Sequence, residues 1–189
     1  MMQNLWQKKP KLNYSKDILD IIQFGSSLNE DKKPNDIDIA IIFSKIPVKE
    51  QLEQAQEIKK QLQKVFEIQV HVTSYDLYSF FDKGNFAKEG ILFYGKSLIS
   101  GKYFSELFGM KPRIQINYYL DKLKKKDKVR FNYLLSGKKG KYGLLREYNG
   151  KLVSPGLIEI LPEYEKIFVN AIKEITSNFL IKKIFISAE

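Results

Sequence analysis

The chain has 189 residues, 43% of them hydrophobic and 13% aromatic, enough for one medium domain or two small ones with a real core. It has no cysteine, which excludes a disulfide framework and a thiolate metal site, and no apolar run reaches the roughly 18 residues that span a bilayer. The net charge of +10 is uneven: residues 1–100 hold 14 Lys and Arg against 13 Asp and Glu, while residues 101–189 hold 18 against 9. An excess confined to one half suits a polyanionic partner for that half, RNA or DNA above all. The amino-terminal stretch has no apolar segment of the secretory kind, so a cytoplasmic protein with no membrane association is expected.

In chain order, "DILDIIQF" (17–24) turns from polar to apolar and reads as a helix end or a strand running into Gly25. "DIDIAIIF" (36–43) alternates and then becomes wholly apolar and β-branched, the pattern of a central strand buried on both faces. Leu52, Ala55, Ile58, Leu62 and Phe66 recur at helical spacing and predict an amphipathic helix facing the core. "EIQVHVTS" (67–74) alternates strictly: Ile68, Val70 and Val72 share one face, and Glu67, Gln69 and His71 the other. A short helix from Tyr75 to Phe81 follows, capped by Ser74, and "GILFYGK" (90–96) reads as another strand.

Gly101, Gly109 and Pro112 punctuate residues 97–113, which read as a connector between a domain 1–100 and a domain 101–189. In the second half, residues 113–139 predict one long helix or two abutting ones. Residues 143–161 predict a hairpin turning at Asn149–Gly150, residues 162–179 a helix begun by Pro162, and "LIKKIFIS" a closing strand.

The chemistry concentrates in "GSSLNEDKKPNDIDIAI", Gly25 to Ile41. Residues two apart on a strand face the same way, so Asp36 and Asp38 project together. Two such carboxylates repel unless a cation neutralises them, and a hard ion such as Mg²⁺ accepts oxygen ligands from carboxylates and phosphates alike. Gly25 lets a phosphate approach the backbone, Ser26 and Ser27 supply hydroxyls and N–H groups, and a helix beginning there would direct its free N–H groups at that phosphate. A phosphate cradle beside paired carboxylates is the equipment of metal-assisted nucleotidyl transfer.

"FGSS" followed by "NDIDIAI" resembles the signature of the nucleotidyltransferase superfamily that includes DNA polymerase beta and the minimal nucleotidyltransferases, over residues 15–96. Gly25, Ser26, Asp36 and Asp38 match it, and Asn35 stands where many members carry Ser. The resemblance implies an α+β fold, a mixed sheet with helices packed on it, to which this chain adds a small basic α+β domain. It implies Mg²⁺ on Asp36 and Asp38, an NTP triphosphate on the Gly25–Ser26–Ser27 turn, and transfer of NMP to a nucleic-acid or protein hydroxyl. Active members add a third carboxylate on a later strand. Here Gln69 falls most naturally at that position and is not a base; Glu67 substitutes in another register, His71 is a further candidate, and Asp76 reads as a first-turn helix acid. Without a third acid, the alternative is a catalytically weakened member that binds nucleic acid or serves as an antitoxin-like partner of another protein.

Lys124, Lys125, Lys126, Lys128 and Arg130 form the densest basic run, flanked by Tyr118, Tyr119, Phe131 and Tyr133. Basic groups interleaved with aromatics hold phosphates and stack bases. "GKKGKYG" (137–143) is a flexible basic loop that lacks the Gly-Lys-Ser/Thr ending of a Walker motif.

Overall fold

A computed structural model describes residues 10–28, 34–138 and 141–188. The polypeptide forms two compact units, the first ending at Gly109 and the second beginning at Met110. Both mix helices with sheet.

The first unit is built on strands β1 (Ile18–Phe24), β2 (Asp36–Phe43), β3 (Gln69–Asp76) and β4 (Lys96–Ser97), in sheet order β3-β2-β1-β4. β1 runs antiparallel to β2 and β4, whereas β3 runs parallel to β2. A parallel neighbour requires a crossover, supplied by helix α1 (Val48–Gln63). β2 is central, and Ile39 to Phe43 are all fully buried, as a strand covered on both faces must be.

On one face, Ile21, Ile37, Ile39, Ile41 and Phe43 pack with Ala55, Ile58 and Leu62 of α1. On the other, Ile22, Ala40 and Ile42 pack with Phe80, Ile91 and Phe104. Each fully buried side chain of this size contributes about 1.5–3 kcal/mol. The inward stripe of α1 differs from the expected one at both ends: Phe66 lies beyond the helix end at Gln63, half-buried against the same core, and Leu52 gives way to Gln51. Leu52 is 54% exposed, and Gln51 takes the buried place because its Nε2 donates to the Ile46 carbonyl at 3.0 Å.

β3 continues to Asp76, two residues beyond the expected Ser74 cap, and Asp76 itself caps α2 (Leu77–Phe81). Its Oδ1 accepts the Ser79 N–H at 2.7 Å, and Ser79 Oγ accepts the Asp76 N–H at 3.1 Å. This reciprocal box, led by the Ser79 N–H, holds the Asp76 carboxyl below its usual pKa. The expected strand at 90–96 is instead helix α3 (Lys88–Tyr94), followed by only the two residues of β4. Periodicity does not separate a short apolar run of one type from the other.

Asp20 lies on β1 at 6% exposure, with Ser97 Oγ donating to its Oδ1 at 2.6 Å and the Ile21 N–H donating at 2.8 Å. Burial pushes its carboxyl up to about 6 from 3.8, against the pull of those two donors. In the unfolded chain the carboxyl ionises near pH 4, so stability falls as pH rises from there to the folded value and stays lower above it. That penalty is about 3 kcal/mol at most. Urea midpoints should therefore drop between pH 4 and pH 6, and Asp20→Asn should flatten that drop. Equal pH slopes in the two proteins would refute the assignment.

The second unit is an antiparallel sheet in the order β10-β5-β9-β8, made of β5 (Met110–Tyr118), β8 (Lys151–Ser154), β9 (Leu157–Ile160) and β10 (Phe179–Ser187). Helix α4 (Lys125–Ser136) follows β5, and a minimal hairpin of β6 (Gly137–Lys138) and β7 (Lys141–Tyr142) leads to α5 (Leu144–Glu147). Helix α6 (Glu165–Lys173) precedes β10, entered through a 3₁₀ turn at Pro162–Tyr164. Ile114, Ile116 and Tyr118 of β5, Ile158 and Ile160 of β9, and Phe131, Leu135, Phe168 and Ile172 of the helices are buried.

Two expectations are corrected here. Residues 113–118 are strand, not helix: Pro112, Ile114, Ile116 and Tyr118 alternate inward with period two. The hairpin turns not at Asn149–Gly150, which joins α5 to β8, but at Pro155–Gly156, where Gly156 has φ +86°.

Candidate metal centre

The centre forms where β1 ends and β2 begins. Phe24, the last residue of β1, pairs with Asp38, and the chain then turns through Gly25 at φ +76°. The Asp38 carboxylate lies against that turn. A Cβ added to Gly25 would sit 2.5 Å from Asp38 Oδ2. Glycine is thus required both for the left-handed backbone and for the space the carboxylate takes.

Gly25–Leu28 is a single 3₁₀ turn, not the start of a longer described helix. Ser27 is buried and holds this turn: its Oγ donates to the Phe24 carbonyl at 3.2 Å and accepts from Gln23 Nε2 at 3.1 Å. Gln23 Nε2 also reaches the Ser27 carbonyl at 3.3 Å. Of the two serines expected to hold a nucleotide, only Ser26 presents an exposed side chain; the Ser27 hydroxyl is engaged structurally.

Asp36 and Asp38 are half-buried on one face of β2, with Ile37 between them turned into the core. This is the face on which Ala40 and Ile42 carry the second apolar cluster, so the acids occupy the open end of a strand whose other end is core. The parallel register sets Gln69 beside Asp36 and His71 beside Asp38. One ligand atom from each of Asp36, Asp38 and His71 lies within 4.8 Å of the others. Burial raises the Asp38 pKa, the Asp36 charge raises it further, and electrostatic interaction with His71 partly offsets both. A carboxyl so disfavoured as an anion gains from a cation beside it.

The third group is therefore His71. Gln69 sits beside Asp36 in the register and brings an amide where an acid was expected, and the expected Glu67 is exposed and precedes β3 altogether. All three share one face by alternation, and only the pairing of β3 with β2 distinguishes them. A strand begun at Glu67, as the sequence suggests, would set Gln69 beside Asp38 in register; β3 begins at Gln69, which sets His71 there instead.

The basic run lies in the second unit. Lys124, Lys125, Lys126 and Arg130 are exposed at the start of α4, and Lys128 is half-buried with Nζ 3.5 Å from the Asp121 carbonyl. Tyr118 and Phe131 are core residues in edge-on contact at 4.9 Å, which removes them as stacking platforms; Tyr119 and Tyr133 are exposed. In the loop 137–143, Lys139 and Gly140 lie outside the described residues, and Lys138 Nζ lies 5.3 Å from the Tyr133 ring. Arg146 stacks on Tyr142 at 4.1 Å, a cation–aromatic pair the sequence reading missed. No helix among the described residues is long and apolar enough to cross a membrane.

Comparison with known proteins returns no match: no protein-family model, no curated protein and no solved structure is significantly similar to the chain.

The donor set fits a divalent cation. Two half-buried carboxylates and one imidazole converge, and the missing Cβ of Gly25 gives the Asp38 carboxylate the room to reach that position.

Proposed function

We propose that the first unit is a nucleotidyltransferase domain that uses a divalent cation to move NMP from an NTP to a hydroxyl of RNA, DNA or a protein. The observation that carries this reading is the convergence of Asp36, Asp38 and His71 beside the Gly25 turn. Asp36, Asp38 and His71 would hold the cation, which when bound neutralises charge on the acids and on the triphosphate. The Gly25–Leu28 turn would receive the triphosphate through Ser26 Oγ and backbone N–H groups. The acceptor oxygen then bonds to the α-phosphorus, the bond to the β-phosphate oxygen breaks, and pyrophosphate leaves. The proton of the hydroxyl passes to water, since the site is open on the side of the exposed His71. The basic residues at the start of α4 would hold a nucleic-acid acceptor by its phosphates.

One observation favours a second reading, a binding protein of the same fold without turnover, whether for nucleic acid or for a partner protein. Among the described residues, the acid pair is completed by an imidazole and by no third carboxylate.

Label transfer from α-labelled NTP decides between them. The wild-type chain, offered RNA and protein acceptors with Mg²⁺ or Mn²⁺, should transfer label, and Asp36→Asn or Asp38→Asn should lower transfer by about 10³-fold or more. Wild-type protein that transfers nothing, yet binds RNA with a steep salt dependence, would overturn the transferase in favour of the binder.

A further inference from the structure

We infer that His71 makes this centre selective for first-row transition cations, Mn²⁺ among them, over Mg²⁺. The inference rests on the proposed metal-dependent reading of the same site but concerns the identity of the ion. The register brings the imidazole to Asp38, and its ligand nitrogen is within 4.8 Å of a carboxylate oxygen from each aspartate. A set of three carboxylates is all hard oxygen and suits Mg²⁺, which also dehydrates reluctantly and keeps most of its waters. Exchanging one carboxylate for imidazole takes away a negative charge and an oxygen donor that Mg²⁺ favours, and supplies a nitrogen that first-row transition ions bind more readily.

Among the described residues no third carboxylate joins the set: Glu67 lies outside β3, and Gln69, beside Asp36, offers only a neutral amide oxygen. His71 stands on the exposed side of its strand, between buried Val70 and half-buried Val72, so its ring is free of the core. Substitution there changes a donor without opening a cavity. Mn²⁺ is the fitting probe, because it combines acceptance of nitrogen with the oxygen-rich shell that a triphosphate demands.

The test uses the full chain with metal alone. Bound Mn²⁺ is read from the loss of the aqueous Mn²⁺ EPR signal, and Mg²⁺ from its competition. Wild-type protein should hold Mn²⁺ at least about tenfold tighter than Mg²⁺, and His71→Asp should bring the two within about threefold of one another. His71→Ala, which carries the test if His71→Asp does not melt cooperatively, should weaken Mn²⁺ by about tenfold and Mg²⁺ far less. His71 is the sole histidine, so a second readout needs no assignment: diamagnetic Zn²⁺ should shift its imidazole carbon-bound proton signals, and saturating Mg²⁺ should leave them in place. An Mn²⁺ to Mg²⁺ ratio that is the same in wild type and the His71 variants overturns the inference, as does failure to retain Mn²⁺. A His71-dependent ratio in a protein that transfers no label upholds it and removes the transferase. Label transfer that needs Asp36, with a ratio indifferent to His71, upholds the transferase and removes the inference.

Discussion

Gly25→Ala is expected to abolish divalent-cation and NTP binding while leaving the protein folded. The new methyl would arrive 2.5 Å from Asp38 Oδ2, well inside contact distance. The atom it meets is the free end of a side chain rather than backbone, so Asp38 can swing away and the strands need not part. What is lost is the position of the carboxylate, and with it the convergence with Asp36 and His71. The methyl also occupies the surface that a phosphate would approach. A second, smaller cost comes from holding alanine at φ +76°, about 1–2 kcal/mol of stability. Calorimetric titration with Mn²⁺ and with NTP, run beside a urea melt, separates the two effects. Wild-type affinities in the variant would mean that Asp38 does not depend on this turn, and the site as described would fall.

Much of the first unit is legible before any coordinates, for a reason particular to each element. β2 announces itself because a buried strand needs a β-branched run, and "IAIIF" has few other uses. Gly25 and the two aspartates are legible because a left-handed turn and a paired acid set both demand specific residue types. β5 is hidden by its neighbour: the alternation of Pro112, Ile114, Ile116 and Tyr118 is followed, after the short segment 119–124, by the helical stretch of α4, and Leu120 and Leu123 in between extend the apparent helical pattern backwards. The hairpin turn is misassigned because Asn149–Gly150 and Pro155–Gly156 are both good turn pairs. Asn149 does take positive φ, but it serves the exit from α5. His71 is the most consequential case. Alternation places Glu67, Gln69 and His71 on one face, and choosing among them takes the inter-strand register, a long-range property no local pattern encodes. Ser27 differs: its bonds to Gln23 and the Phe24 carbonyl are local, but they form only because the chain turns at Gly25 into a 3₁₀ turn.

Phe80→Ala is expected to cost the first unit about 3–5 kcal/mol, a large part of the margin by which a domain of this size is stable. Phe80 is fully buried and meets Tyr75, Phe81 and Phe104 edge-on, with ring centroids 5.7, 5.1 and 5.5 Å away. It belongs to the cluster that covers Ala40 and Ile42, the continuation of the face that bears Asp36 and Asp38. The anchoring of the site and the packing of the core are thus properties of one strand. Removing the ring leaves a cavity among edge-on aromatics whose backbones sit on separate elements and do not close in together. Phe80→Leu keeps most of the volume and should cost about 1–2 kcal/mol. If the proposed cation binds Asp36 and Asp38 only in the folded strand, saturating Mn²⁺ should raise the stability of wild type and of Phe80→Ala alike, by an amount set by the ratio of ion concentration to Kd. Urea melts with and without Mn²⁺ measure both quantities. A Phe80→Ala loss below about 1 kcal/mol would contradict the packing described. A variant whose own stability Mn²⁺ leaves unchanged would instead show that ion binding is not coupled to the integrity of β2.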